Sequence, residues 1–327
     1  MIGNTKKQPV PVLSFPCVQL LGISVRELIS DSTLQAKGMK AVADRVPSAA
    51  SVSLMDLSVE AECFGSRIRV SDNEVPTVIG AVVQEPEDAD ALEVPRVGGG
   101  RTGLYVEAIG KAVQLIEDRP VFAGVIGPFS LAGRLMDVSE TLVLCYEEPE
   151  MVHTVMEKTT AFLIDYCRAY KEVGANGVLM AEPLTGLISP NLAQEFSHPY
   201  VKQIVDAVQD DSFAVFYHNC GGSVVRMAKD IFAIGAAGYH FGDAIRLADM
   251  LPDAPADVPV LGNVSPSAQF RNGTPSSMEE AVRKVMNECG SYPNFVPSSG
   301  CDIPPMSPWE NIDAFFAAVN RAYNELT

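Results

Sequence analysis

Positive charge is scarce in this chain: 24 lysines and arginines stand against 41 aspartates and glutamates, a net charge of −17 at pH 7. A surface of that sign argues against nucleic acid, whose phosphates need a basic footprint. It argues equally against adhesion to an anionic membrane, while favouring solubility and leaving a protein partner open. Long apolar runs are lacking as well. No stretch reaches the roughly 18 residues that a membrane-spanning helix requires. Lys6 and Lys7 are not followed by an apolar segment of signal type, so no secretory leader is expected. The 7 cysteines are odd in number and scattered, which does not suit a disulfide framework. Reduced, mostly buried thiols in a cytoplasmic protein are the expectation. Internal repeats and low-complexity tracts are missing.

What is present is ordinary globular material: 327 residues, 47% apolar and 20% charged. Ser24 and Glu27 form a capping-box pattern that predicts a helix near 25–30. A second helix starts at Asp31 or Ser32 and stops at Pro47. Short apolar runs follow and end in Gly, Pro or polar residues, as buried parallel strands do. The candidates are 52–56, 77–80, 121–126, 177–181, 214–217, 238–241, 258–261 and 294–296. Helices are expected near 101–117, 149–173, 190–208, 223–234, 244–251 and 276–289, with a last one after Ser307-Pro308. Residues 58–74 read as a hairpin excursion. Met151, Met156 and Tyr170 are assigned to the core. Strands alternating with helices predict an α/β chain, a single (β/α)8 TIM-type barrel over 1–327 with 1–46 as an N-terminal helical segment.

His218 and Cys220 stand where an apolar run stops, and Cys301 closes a similar run. In an extended strand residues two apart share a side, so the first pair faces one way. One imidazole and two thiolates can hold a soft divalent cation such as Zn²⁺, leaving one tetrahedral position open. Spacing alone also fits packed, hydrogen-bonded core residues, because His-x-Cys with a distant Cys is a loose signature. His240, one strand on, is a weaker substitute for His218. Glu182, Asp56, Asp243 and Asn263 end other strands. Each can be a helix cap or, taken together, part of a polar ring at the barrel mouth, with Glu182 as a displaceable oxygen ligand or general base. Gly98 to Gly103 matches a Gly-x-Gly-x-x-Gly pattern without the strand that a nucleotide fold needs. It reads as a surface loop in which Arg101 serves a lid or an anion. Gly127-Pro-Phe-Ser130 is a strand-to-helix turn or a loop lining the mouth, where Phe129, Leu131 and Leu135 suit a flat macrocycle.

The chain resembles the uroporphyrinogen decarboxylase superfamily in its corrinoid-linked methyltransferase branch. The residues that carry the resemblance run from Pro16-Cys-Val-Gln-Leu-Leu-Gly-Ile-Ser24 through Gly127-Pro-Phe-Ser130, Glu182-Pro183, His218-Asn-Cys-Gly221 and Gly262-Asn-Val-Ser-Pro266 to Gly300-Cys301. The resemblance implies a barrel, with zinc on His218, Cys220 and Cys301. It implies methyl transfer from a methylcorrinoid (methyl-cobalamin type), carried on a separate protein, to a zinc-activated small thiol such as coenzyme M. Glu182 and Asp243 are then the candidate catalytic residues, and Gly127, Phe129 and Asn263 the candidate corrinoid contacts. The arginine-rich N-terminal stretch of the decarboxylating members is missing, since residues 10–30 hold the single arginine Arg26. Ser265 stands where the family often has Asp. Decarboxylation of a porphyrinogen-like polyacid, or transfer to homocysteine or a folate, remain the alternatives. Self-association is left open.

Overall fold

The computed structural model describes residues 6–326. The parts of the expected N-terminal segment and of the leader reading that cover residues 1–5 lie outside them. The strands are β1 (Ser51–Val52), β2 (Arg67–Arg69), β3 (Thr77–Ile79), β4 (Val121–Ile126), β5 (Gly177–Ala181), β6 (Ala214–Asn219), β7 (Gly238–Phe241), β8 (Val260–Val264) and β9 (Phe295–Ser299). Seven of them pair in parallel in the order β1-β4-β5-β6-β7-β8-β9. The sheet curls into a TIM-type barrel with helices outside it.

Period-two alternation decides which side chain goes where. Phe122, Leu179, Ala181, Leu261 and Val296 join Val10, Val12 and Val52 in one apolar cluster, the barrel lumen. Their neighbours Ala123, Val125, Val178, Met180, Val215 and Phe295 belong to the larger core shared with the helices. Both faces are therefore dry, and every residue of β4 and β5 is buried. That is why these segments read as unbroken apolar runs.

The expected barrel strand at 77–80 is elsewhere. β3 pairs antiparallel with β2 in a separate two-stranded ribbon. Both strands of that ribbon alternate exposed and half-buried residues, which an internal barrel strand cannot do. Its place is taken by Pro9-Val-Pro-Val12, which no strand pattern predicts. Pro9 and Pro11 have no N–H to donate. Val10 N donates to Pro297 O (3.0 Å) and Val12 N to Ser299 Oγ (2.9 Å), while Pro9 O accepts from Ala49 N (3.0 Å). The segment thus stitches β9 to the approach of β1 and closes the ring. Lys7 anchors its start through the carbonyls of Pro293 and Phe295.

The Ser24 capping box is formed, with Glu27 as its partner. Asp31 caps the helix Ser32–Arg45 by accepting from Thr33 N and Leu34 N. The helices Thr102–Leu115, Pro149–Glu172, Pro275–Cys289 and Trp309–Leu326 lie where the periodicity puts them. The expected helix at 190–208 is broken at Ser197 into Pro190–Phe196 and His198–Val208. The span 244–251 holds only short 3-10 turns. Three helices, Val59–Cys63, Pro128–Met136 and Val138–Glu147, were not expected; the first takes up the start of the hairpin expected over 58–74, and the ribbon pairs Arg67–Arg69 with Thr77–Ile79 instead. No helix among the described residues is long and apolar enough to cross a membrane.

Candidate metal centre

Active sites of such barrels lie at the C-terminal ends of the strands. There β6 ends in His218-Asn219 and Cys220 follows directly. His218 shares the lumen side with Phe216, and its register partners are Ala181 on β5 and His240 on β7. Cys301 enters from the loop after β9. The ligand atoms of His218, Cys220 and Cys301 all lie within 4.8 Å of one another, and no other such group occurs among the described residues. Cys301 Sγ is 3.5 Å from His218 Nε2. A tetrahedral ion with Zn–S near 2.3 Å and Zn–N near 2.0 Å separates its S and N ligands by about 3.5 Å. The donor set and its spacing fit Zn²⁺.

Two glycines make this convergence geometrically available. A Cβ on Gly242 would lie 2.5 Å from both Cα and Cβ of Cys220. A Cβ on Gly300 would lie 2.8 Å from Asp243 N and Oδ1. The turn after β7 therefore lies between the Cys220 and Cys301 loops, touching both without a side chain at either contact. Asn263 holds that turn from β8, its Nδ2 donating to Gly242 O and Ile245 O, each at 2.9 Å.

The two sulfurs share a proton unequally. The Cys301 thiol donates towards Cys220, and that hydrogen bond holds Cys220 below the usual thiol range against the cost of burial. The same contact and burial push Cys301 upward. A soft cation takes both sulfurs as thiolates. Behind them His240 is buried at 1% exposure. Desolvation, with His218 next to it, holds its ring well below the usual imidazole range. Its Nδ1 is 2.6 Å from His218 Nδ1, and its Nε2 is 2.9 Å from Ser298 Oγ. His240 therefore packs behind His218 and lies outside the converging trio.

Glu182 sits one residue past the lumen-facing Ala181, so its side chain turns outward. Its carboxylate accepts from Phe129 N (3.0 Å), Ser130 N (2.6 Å) and Ser130 Oγ at the start of the helix Pro128–Met136. A Cβ on Gly127 would lie 2.4 Å from Glu182 Oε2, so that glycine makes room for the carboxylate. Burial raises this group to about 7 against the pull of those donors. It lies outside the converging trio, although Asn219 Nδ2 donates to its carbonyl oxygen (2.8 Å) and ties it to β6. The expectation that Phe129, Leu131 and Leu135 line the mouth is corrected: all three are fully buried. Every residue of their helix but Arg134 is buried, because the helix packs under its two successors. Asp243 is exposed beside Gly300. Met151, Met156 and Tyr170 are core, as expected.

The glycine-rich loop is not a phosphate cradle. Arg101 turns inward to Asp56, Glu62 (2.6 Å) and Ser58 (2.9 Å). Asp56 also accepts from Tyr105 Oη at 2.7 Å. This network lies past the end of β1 and was not legible as a unit in the sequence. Nor was the His218–His240–Ser298 row, although the repeated Tyr-His of Tyr217-His218 and Tyr239-His240 is a signal that aligns the two strands.

The architecture is a TIM-type barrel with one imidazole and two sulfurs converging at its C-terminal rim, a donor set that suits a soft divalent cation. The chain belongs to the uroporphyrinogen decarboxylase (URO-D) family, whose model matches residues 9–322. It is 28% identical over 261 residues to the methylcobamide:CoM methyltransferase MtbA of Methanosarcina acetivorans, covering 79% of this chain and 75% of that protein. It is 26% identical to the uroporphyrinogen decarboxylase of Coxiella burnetii, covering 90% of this chain and 81% of that one. The solved structure of a methyltransferase from Methanosarcina mazei superposes with a TM-score of 0.86 at 23% identity, covering 97% of this chain and 95% of that one.

Proposed function

We propose that this protein is a methyltransferase that moves a methyl group from a methyl–Co(III) corrinoid, borne on a partner protein, to a small thiol. The observation that carries the reading is the convergence of His218, Cys220 and Cys301 within 4.8 Å at the barrel mouth. It is joined by the similarity to a methylcobamide:CoM methyltransferase. When bound there, Zn²⁺ supplies a Lewis acid with a vacant position, which favours the thiolate form of an incoming thiol.

The chain's own residues do the rest. His218 contributes a neutral nitrogen, and Cys220 and Cys301 contribute charge that keeps an added sulfur electron-rich. The half-buried cysteines leave the site reachable from the mouth, while apolar side chains fill most of the lumen beneath. In the transfer the thiol sulfur forms a bond to the methyl carbon as the cobalt–carbon bond breaks. Cobalt keeps the electron pair as Co(I), and the thiol proton leaves to solvent. The protein's contribution to this step is alignment and an activated nucleophile, since the demanding electronics are the corrinoid's. Glu182 we assign to positioning: it fastens the start of the helix Pro128–Met136 to the end of β6. Reduced thiols are required throughout, which suits a cytoplasmic setting and the 7 free cysteines.

Porphyrinogen decarboxylation has sequence similarity on its side and the residues against it. Arg26, the arginine of 10–30, is spent on an exposed pair with Asp72. The test is incubation with methylcobalamin and a panel of thiols (coenzyme M, homocysteine), beside tetrahydrofolate and uroporphyrinogen. Loss of the methyl–cobalt absorbance with one thiol supports the reading. Turnover of uroporphyrinogen without any thiol-dependent demethylation overturns it.

A further inference from the structure

We infer that His240 and Ser298 are positioning residues that fix the tautomer of His218 and turn its Nε2 lone pair towards the ion, in a relay that ends on the segment closing the barrel. The inference rests on the metal-centre reading above and adds a second layer to it.

The protons can be counted along the row. Ser298 Oγ is 2.7 Å from Val10 O, which can only accept, so the single hydroxyl proton goes there. Ser298 Oγ must then accept from His240 Nε2 at 2.9 Å, which places the ring proton of His240 on Nε2. The His240 ring is enclosed by the lumen, against a cavity of about 80 Å³ lined by Val10, Leu179, Phe216 and Leu261. A dry site of that kind keeps an imidazole neutral, with one proton. His240 Nδ1 is therefore an acceptor. The 2.6 Å contact between the two Nδ1 atoms then needs its proton from His218. The His240 carbonyl, 3.2 Å from the same His218 atom, also asks for a proton there. With Nδ1 protonated, His218 Nε2 is left bare, and it faces Cys301 Sγ at 3.5 Å.

Each link lies on the lumen side: His218 on β6, His240 opposite it on β7, Ser298 on β9 beyond the intervening β8, and Val10 in the closing segment. Supports of this kind orient a metal-binding imidazole, and their loss costs about 10- to 100-fold in metal affinity.

The test uses the full chain, metal-free and labelled with ¹⁵N-histidine, and reads ring tautomers from long-range ¹H–¹⁵N spectra of its 4 histidines. The expected result is His218 protonated on Nδ1 and His240 on Nε2. Chelator competition then measures zinc affinity of the native chain and of Ser298→Ala, expected about 10- to 100-fold weaker with both cysteines intact. The tautomer reading needs no substitution, so a variant that fails to fold leaves the inference exposed to refutation. Zinc uptake by a native chain whose His218 carries its proton on Nε2 overturns the relay alone. So does Ser298→Ala with unchanged tautomers and affinity. A native chain that takes up no zinc overturns the reading of the site, and the relay's role with it.

Discussion

Replacing Glu60 by glutamine is expected to invert part of the protein's dependence on pH. Glu60 is buried at 1% exposure. Its Oε1 accepts from Ile126 N at 3.0 Å, and its Oε2 has no partner. Burial, opposed chiefly by that hydrogen bond, raises the carboxyl from 4.5 to about 7. The folded state therefore holds a proton that the unfolded chain releases between those two values. Stability is full below pH 4.5, falls as pH rises through the window, and carries the whole deficit above about 7. At about 1.4 kcal/mol per pH unit, an ionised Glu60 weakens the fold by about 3 kcal/mol at pH 8. Glutamine never ionises, but its amide leaves a buried N–H unpaired at a cost of about 1 kcal/mol. Glu60→Gln should thus be more stable than the parent by about 2 kcal/mol at pH 8 and slightly less stable at pH 4.5. Urea unfolding of both chains at the two pH values measures the difference, in which the other carboxylates cancel. Parallel pH profiles for parent and variant would refute the reasoning.

Other substitutions probe the centre and its surroundings. Gly242→Ala drives a methyl into Cys220, so zinc affinity measured by chelator competition should fall about tenfold or more while circular dichroism is unchanged. Unaltered affinity would mean that the Cys220 loop is free to move. His218→Ala and Cys220→Ala should each lose both zinc retention and thiol-dependent demethylation of methylcobalamin; normal turnover by a metal-free variant removes the mechanism. Arg101→Ala strips the buried Asp56 of its counter-charge, leaving Tyr105 and Ser58 as partners. A loss of about 3 kcal/mol in urea unfolding is expected, and a loss under about 0.5 kcal/mol would show the ion pair to be idle.

Much of the fold was legible because barrel strands are dry on both faces. β4, β5, β6 and β7 announce themselves as apolar runs, and the long amphipathic helices between them follow. Where the reading failed, the physics was different. Pro9-Val-Pro-Val12 hides its part in the barrel behind two prolines, while Thr77–Ile79 has strand propensity but a wet side. The helix Pro128–Met136 is buried nearly all round, so it lacks the polar stripe that marks a surface helix. At the site, the pairing of His218 with Cys220 followed from strand periodicity, and Cys301 from its place at another strand end. That Glu182 turns away from the converging trio was not legible, because the sequence does not say which parity faces the lumen. The answer comes from register, Ala181 standing opposite His218.

The central claim is that His218, Cys220 and Cys301 hold one zinc ion and leave it a position for an incoming thiol. X-ray absorption at the zinc edge, on the loaded full chain with and without coenzyme M, tests this most directly. The account predicts two sulfurs near 2.3 Å and a histidine nitrogen near 2.0 Å, with the sulfur number rising to three when the thiol is added. A first shell that is already closed by four protein ligands, or one that ignores the thiol, would contradict it.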